Sequence, residues 1–237
     1  MVYGVSFGGK HSFRDWKLLL NERPKITPPS PKTIYIDIPG GDGRLDLTES
    51  LSGDVKYETR SMEFIFITTA ARKKWPVLYS EILDYLHGQE MMIILDEDTE
   101  HYYFGRVFVN EWKSSEKYST IVVDAEVEPY KMEMFSSLED WEWDSFNFET
   151  GVIREYSELR VDGTLDFTVI GSRKKVIPRF IVHSDDGSGL QVAYNGNTYS
   201  IPDGTTQVVN IAINSGTSVL TFTGNGTVSI DYRGGRL

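Results

Sequence analysis

The sequence predicts a mainly β protein with one prominent helix: an N-terminal β-sandwich-like domain followed by a C-terminal β-sandwich. Three observations lead there. Several runs in the first 132 residues alternate apolar and polar side chains with a period of two. A single run keeps the 3.6-residue period of a helix. Beyond residue 150, short β-rich runs are separated by Asn, Gly and Asp turns at roughly ten-residue spacing, the pattern of a sandwich.

The elements follow in order. Pro24, Pro28, Pro29 and Pro31 keep that stretch out of any helix or central strand, so it is expected to run as an extended connector. It leads into Thr33–Pro39, where Ile34, Ile36 and Ile38 alternate with Tyr35 and Asp37 as in a half-buried strand. Gly40–Gly43 is expected to be a turn or exposed loop. Ser61–Thr68 is apolar on both faces at its centre and suits a covered strand. Trp75, Leu78, Tyr79, Ile82, Leu83 and Leu86 form the helical stripe. Pro76 fits its first turn, and His87 and Gly88 fit its end. Met91–Asp96 and Tyr102–Trp112 are expected to pair as a hairpin around Glu97–Glu100. Thr120–Glu128 reads as another strand. In the second part, Asn195-Gly196 is a type I′ hairpin signal, because both turn residues need positive φ.

Charge divides the chain further. Residues 1–132 carry 16 basic and 21 acidic side chains, 133–149 carry six acidic and no basic ones, and 150–237 carry eight of each. The expected organisation is a domain at 1–132, an acidic aromatic connector at 133–149 and a sandwich at 150–237. The connector reads as a solvated link or a contact surface.

The formal net charge of -11 argues against a general nucleic-acid or anionic-membrane binder. No apolar stretch approaches the roughly 18 residues of a membrane span. The first ten residues lack a basic region followed by an apolar one, so no secretory signal is expected. The absence of cysteine excludes disulfides, thiolate metal sites and cysteine nucleophiles.

Candidate chemistry is sparse. Asp96–Glu100 is the densest acidic run, but it lacks the alternating ligands and central Gly of a calcium loop and reads better as a charged hairpin tip. Asp185–Gly189 reads better as a turn than as a cation site. His11, His87, His101 and His183 show no metal-ligand spacing. No Gly-x-Ser-x-Gly elbow, phosphate-binding loop, dinucleotide fingerprint or zinc pattern is present, so neither an enzymatic activity nor a cofactor is expected. A convergent triad or carboxylate pair stays open, because its members meet only in space. Trp141 and Trp143, with Phe146 and Phe148, alternate through the connector. They are candidates for stacking on sugar rings, with docking onto a neighbouring domain the favoured reading. Arg173-Lys174-Lys175 reads as a solvated loop.

Several phrases, in order, resemble the distal tail protein (Dit) family of long-tailed bacteriophages of Gram-positive hosts. They are Gly8–Trp16 with Leu18–Leu20, Arg23–Ile26 running through Pro28–Pro31 to Ile36–Gly40, and Asp42–Glu49. Leu86–Gly88, Ile94–Asp98, Tyr102–Val107 and Glu128–Lys131 complete the set. The resemblance covers about the first 132 residues; beyond them the sandwich pattern and the Arg233–Leu237 ending fit a galectin-like or jelly-roll C-terminal domain.

That resemblance implies a ring-forming N-terminal domain and a homohexamer, or a dimer of hexamers, at the tail tip of the virion, assembled from protein made in the host cytoplasm. It implies partners in the tail tube protein and in the tail-tip, baseplate or receptor-binding proteins, with an open channel for DNA and no specific nucleic-acid or membrane binding. A ring needs head-to-tail interfaces that close by rotation, and the segment from Gly40 to Arg60 is the expected reach onto a neighbour. Two other function classes compete: a carbohydrate-binding adhesin module using Trp141 or Trp143, and a hydrolase acting on cell-wall polymer.

Overall fold

The computed structural model describes residues 4–115, 118–139 and 154–237. In chain order its elements begin with β1 (Val5–Phe7), β2 (Lys10–His11), α1 (Ser12–Trp16), β3 (Leu18–Leu20), β4 (Lys25–Ile26), β5 (Tyr35–Asp37) and β6 (Arg44–Asp46). There follow β7 (Arg60–Thr68), α2 (Trp75–Leu86), β8 (Glu90–Leu95), β9 (Asp98–Ser114), β10 (Ser119–Val127) and β11 (Lys131–Glu133). The remainder is strand: β12 (Leu159–Gly171), β13 (Arg179–Ser184), β14 (Leu190–Tyr194), β15 (Asn197–Ile201), β16 (Gly204–Gln207), β17 (Gly216–Asp231) and β18 (Gly235–Arg236). The protein is mainly β, and α2 is its prominent helix. Two compact units result: Met1–Asp98 with Tyr102–Lys131 and Leu237, and Thr99–His101 with Met132–Arg236.

The first unit is built on an antiparallel sheet whose main path runs β2-β1-β8-β9-β10-β7-β3, with β4 also on β7. Its register explains its core. Met62, Phe64 and Phe66 of β7 lie opposite Ala125, Val123 and Ile121 of β10, and all six are buried. Such facing pairs of aromatic and β-branched side chains are the stabilising unit of a sheet. Phe7 of β1 closes on Phe64 edge-to-face at 5.3 Å. Ile65 and Ile67, expected to be covered as well, are only half-buried, so the second face of β7 has thinner cover.

The helix forms where the stripe predicts it. Trp75, Ile82 and Leu86 are buried, and Leu78, Tyr79 and Leu83 pack partly against the same core. Full burial of Ile82 and of Leu86 contributes roughly 1.5–3 kcal/mol each. Pro76 sits in the first turn, where its missing N–H costs nothing. His87 does more than end the helix: its Nδ1 accepts the backbone N–H of Val109 at 3.2 Å, tying the helix end to β9.

The second unit is organised on β17. One edge of this 16-residue strand pairs along its length with β12. The other edge is shared, with Thr221–Thr223 facing β14 and Gly226–Asp231 facing β13, in the order β15-β14-β17-β13-β16. Phe180 and Phe222 are fully buried and meet at 6.0 Å between centroids. The Asn195-Gly196 turn closes β14 on β15 with φ of 50° and 77°, as its residue types require. The turn at Asp185–Gly189 also forms, but the strands it joins do not pair with each other; both lie on β17.

Residues 132–139 belong to this unit. Arg154, its side chain 6% exposed, makes a two-pronged ion pair with Glu133 at 2.5 and 3.1 Å. The other face of its guanidinium lies over Tyr232. Burial opposes the charge on Arg154, yet the Glu133 carboxylate outweighs it and holds the guanidinium protonated more firmly than usual. Glu133 also accepts the Gly234 N–H at 2.8 Å. Ser137, fully inside, donates to Ile230 O and accepts the Tyr232 N–H.

Candidate assembly surface

Thr33–Pro39 does contain a strand, but not a half-buried one. β5 pairs only with β6, as a separate two-stranded hairpin in which every residue is exposed. Its register sorts the side chains by chemistry. Ile36 faces Leu45, and the Leu47 N–H bonds Ile34 O, so Ile34, Ile36, Ile38, Leu45 and Leu47 share one face. The other face carries Tyr35 opposite Asp46 and an Asp37–Arg44 ion pair at 3.1 Å. The alternation is therefore that of a strand with one face to cover, while Ile34, Ile36, Ile38 and Leu45 stay 44–52% exposed.

The hairpin stands on a narrow stem. Lys32 N bonds Lys56 O and Glu58 N bonds Ser30 O, bringing the two strands of chain together at the base. Tyr57 packs edge-on against Tyr130, and Thr59 donates to Glu126, anchoring the stem to the sheet unit. Between these points residues 32–56 form an arm. Leu51, further along it, is 90% exposed. The arm thus begins well before Gly40, where the sequence placed its start, and includes the whole of β5. At its far shoulder the Thr48 hydroxyl and N–H bond Asp46, holding that carboxyl below the usual range and fixing the turn out of β6.

A two-stranded hairpin is marginal by itself in water, and an apolar stripe on one face makes it a ready docking element. Six of the large apolar side chains left exposed among the described residues fall on this one arm: Ile34, Tyr35, Ile36, Ile38, Leu45 and Leu51. Sequence periodicity found the stripe; it could not tell whether the cover would come from this chain.

The acidic run at Asp96–Glu100 does not converge on a point. Asp96 accepts the Gly4 N–H at 2.8 Å and sits 3.1 Å from His11 Nε2. Asp98 pairs with Lys131, and Glu97 lies 3.7 Å from Arg23. The His11 ring is held in one tautomer. Its Nδ1 accepts the N–H groups of Phe13 and Arg14, capping α1, so Nε2 carries the proton toward Asp96. His87, His101 and His183 lie on other elements, and among the described residues no three His, Asp or Glu side chains gather as for a metal ion. At the Asp185–Gly189 turn, Asp185 is paired with Arg160 and Asp186 with Ser188, and those hydrogen bonds hold both carboxyls below the usual range. Trp141 and Trp143, with Phe146 and Phe148, lie outside the described residues.

No protein-family model matches the chain, and no curated protein matches it. Among solved structures, the fold is similar over 100% of both chains, with a TM-score of 0.55 and 10% sequence identity, to the crystal structure of SPP1 Dit. That protein is described as a paradigm of the hub adsorption apparatus in phages infecting Gram-positive bacteria. The likeness gives this chain a Dit-like fold.

Proposed function

We propose that this protein is a structural hub at the distal end of a long phage tail. In this reading it forms a hexameric ring that joins the tail tube to the baseplate or host-adhesion proteins and leaves a channel for DNA. The observation that carries the proposal is the arm, a hairpin with its polar face finished and its apolar face uncovered. A second copy of the same chain is the fitting cover, because each subunit of a ring offers one arm and receives one. The full-length likeness to a hub protein supports the same reading, as does the order of the phrases at residues 8–131. Net negative charge suits a channel that must not retain DNA.

The test is mass in solution. The hub reading predicts six copies of the 27.0 kDa chain, or twelve, by analytical ultracentrifugation at micromolar concentration. A single sedimenting species of one chain, unchanged on raising the concentration, would rule against it.

A further inference from the structure

The chain carries a net charge of -11, yet one surface of the first unit is positive. Residues 12–20 and 68–80 together hold five cations, Arg14, Lys17, Arg72, Lys73 and Lys74, and one acid, Asp15. The fold brings the two stretches side by side. Leu18 pairs with Thr68, and Lys17 O accepts both the backbone N–H and the hydroxyl of Thr69. Lys17 Nζ donates to Arg14 O at 3.2 Å and lies over the Phe13 ring, contacts that leave its charge in place. The Asp15 carboxylate is occupied by the His11 N–H at 2.7 Å. All five cations are exposed, and among the described residues none pairs with a carboxylate. Apolar surface lies among them: Phe13 is 37% exposed, and Val77, in the first turn of α2, is 68% exposed.

The arm has the opposite character. Its residues 42–54 carry four acids, Asp42, Asp46, Glu49 and Asp54, and one cation, Arg44, which is already paired with Asp37. Among the described residues none of the four acids meets a cation. Leu51, almost fully exposed, lies between Glu49 and Asp54. Acidic and apolar groups on the arm thus match basic and apolar groups on the surface.

The two features lie at opposite ends of β7. The arm joins the sheet just before Arg60, where Thr59 donates to Glu126, and the basic surface begins at Thr68. The nine residues of the strand span about 27 Å. A head-to-tail contact needs such a separation, because each subunit gives at one end and receives at the other. We propose that the surface formed by Arg14, Lys17 and Arg72–Lys74 receives the acidic arm of a neighbouring copy, with Leu51 against Phe13 and Val77. This docking rests on the ring proposed above and supplies its receiving surface. Exposed ion pairs contribute little singly, so the cations act as a group, steering the arm and fixing its register while the apolar contacts hold it.

The experiment is analytical ultracentrifugation of the full chain at micromolar concentration, in low and in high sodium chloride. Lys73→Glu/Lys74→Glu is expected to weaken association roughly tenfold or more. Added salt should weaken association of the unaltered protein. Lys175→Glu, at an exposed cation of the second unit, should leave it unchanged. Adding Asp42→Lys/Glu49→Lys to the Lys73→Glu/Lys74→Glu chain should restore the ring, because each reversed arm then meets a reversed surface. A ring that survives Lys73→Glu/Lys74→Glu, or that the reversed arm fails to restore, overturns the docking and leaves the hub reading standing. A monomer for the unaltered protein at every concentration overturns the hub reading and the docking with it. Fluorescence anisotropy with a DNA duplex covers the rival occupant. Saturable DNA binding that Lys73→Glu/Lys74→Glu abolishes while the ring persists would assign the surface to nucleic acid and overturn the proposal.

Discussion

Replacing Ile36 and Leu45 together by Asp separates the arm's role in assembly from any role in folding. The two side chains face each other across β5 and β6 and are 51% and 52% exposed. Full burial of an Ile or Leu contributes roughly 1.5–3 kcal/mol. Covering the exposed half of each therefore adds about 1 kcal/mol per residue, or about 2 kcal/mol per arm. Two carboxylates placed in that contact lose this term and add desolvation, so the expected loss exceeds about 3 kcal/mol per interface, more than 100-fold in association. In the lone chain the change loosens β5 on β6, where two carboxylates then face each other, but that hairpin is separate from the main sheet and its core. Light scattering should then report a monomer for the variant under conditions where the unaltered protein is a ring, with an unchanged urea midpoint for the isolated chain. A variant that keeps the full assembly mass would refute the reasoning, because the apolar face would then have no partner in the ring.

Three further outcomes follow from the geometry. Glu133→Gln leaves the Arg154 guanidinium inside without its countercharge and should destabilise the second unit by about 3 kcal/mol, read as a lower urea midpoint. Gly105→Ala would place a methyl 2.1 Å from Glu126 O, between β9 and β10, and should cost roughly 1–3 kcal/mol of stability in the first unit as the strands move apart. Arg160 holds Asp185 below the usual carboxylate range, so that pair stabilises the folded state above the unfolded-state pKa and loses its effect as pH falls through the depressed value. Carboxyl-carbon NMR should show the Asp185 midpoint rising into the usual range in Arg160→Ala; an unmoved midpoint would remove the pair as its cause.

How much of this was legible beforehand differs by element. The α2 stripe was readable because six apolar residues at helical spacing leave no other solution. Asn195-Gly196 was readable because positive φ at two successive positions limits the residue types. β5 was readable as a strand but not in its burial, since period-two alternation records that one face will be covered and says nothing of which chain covers it. The place of residues 133–139 was obscured by composition. Glu133 and Glu139 count as uncompensated acids along the chain, yet their partners Arg154 and Arg233 lie 21 and 94 residues away. Arg173-Lys174-Lys175 reads as a solvated loop along the chain, whereas the fold brings Lys174 and Lys175 to a surface they share with Arg179 and Arg233. The Dit-like fold was foreshadowed by ordered phrases in the first domain, while whole-chain identity to SPP1 Dit is only 10%.

The central claim is that this chain closes into a ring through its arms, and particle imaging tests it most directly. Negative-stain averages of the purified protein should show six copies around a central hole, and the Ile36→Asp/Leu45→Asp variant should show none. Averages of the unaltered protein showing single chains at every concentration, or an open filament in place of a closed ring, would contradict the account.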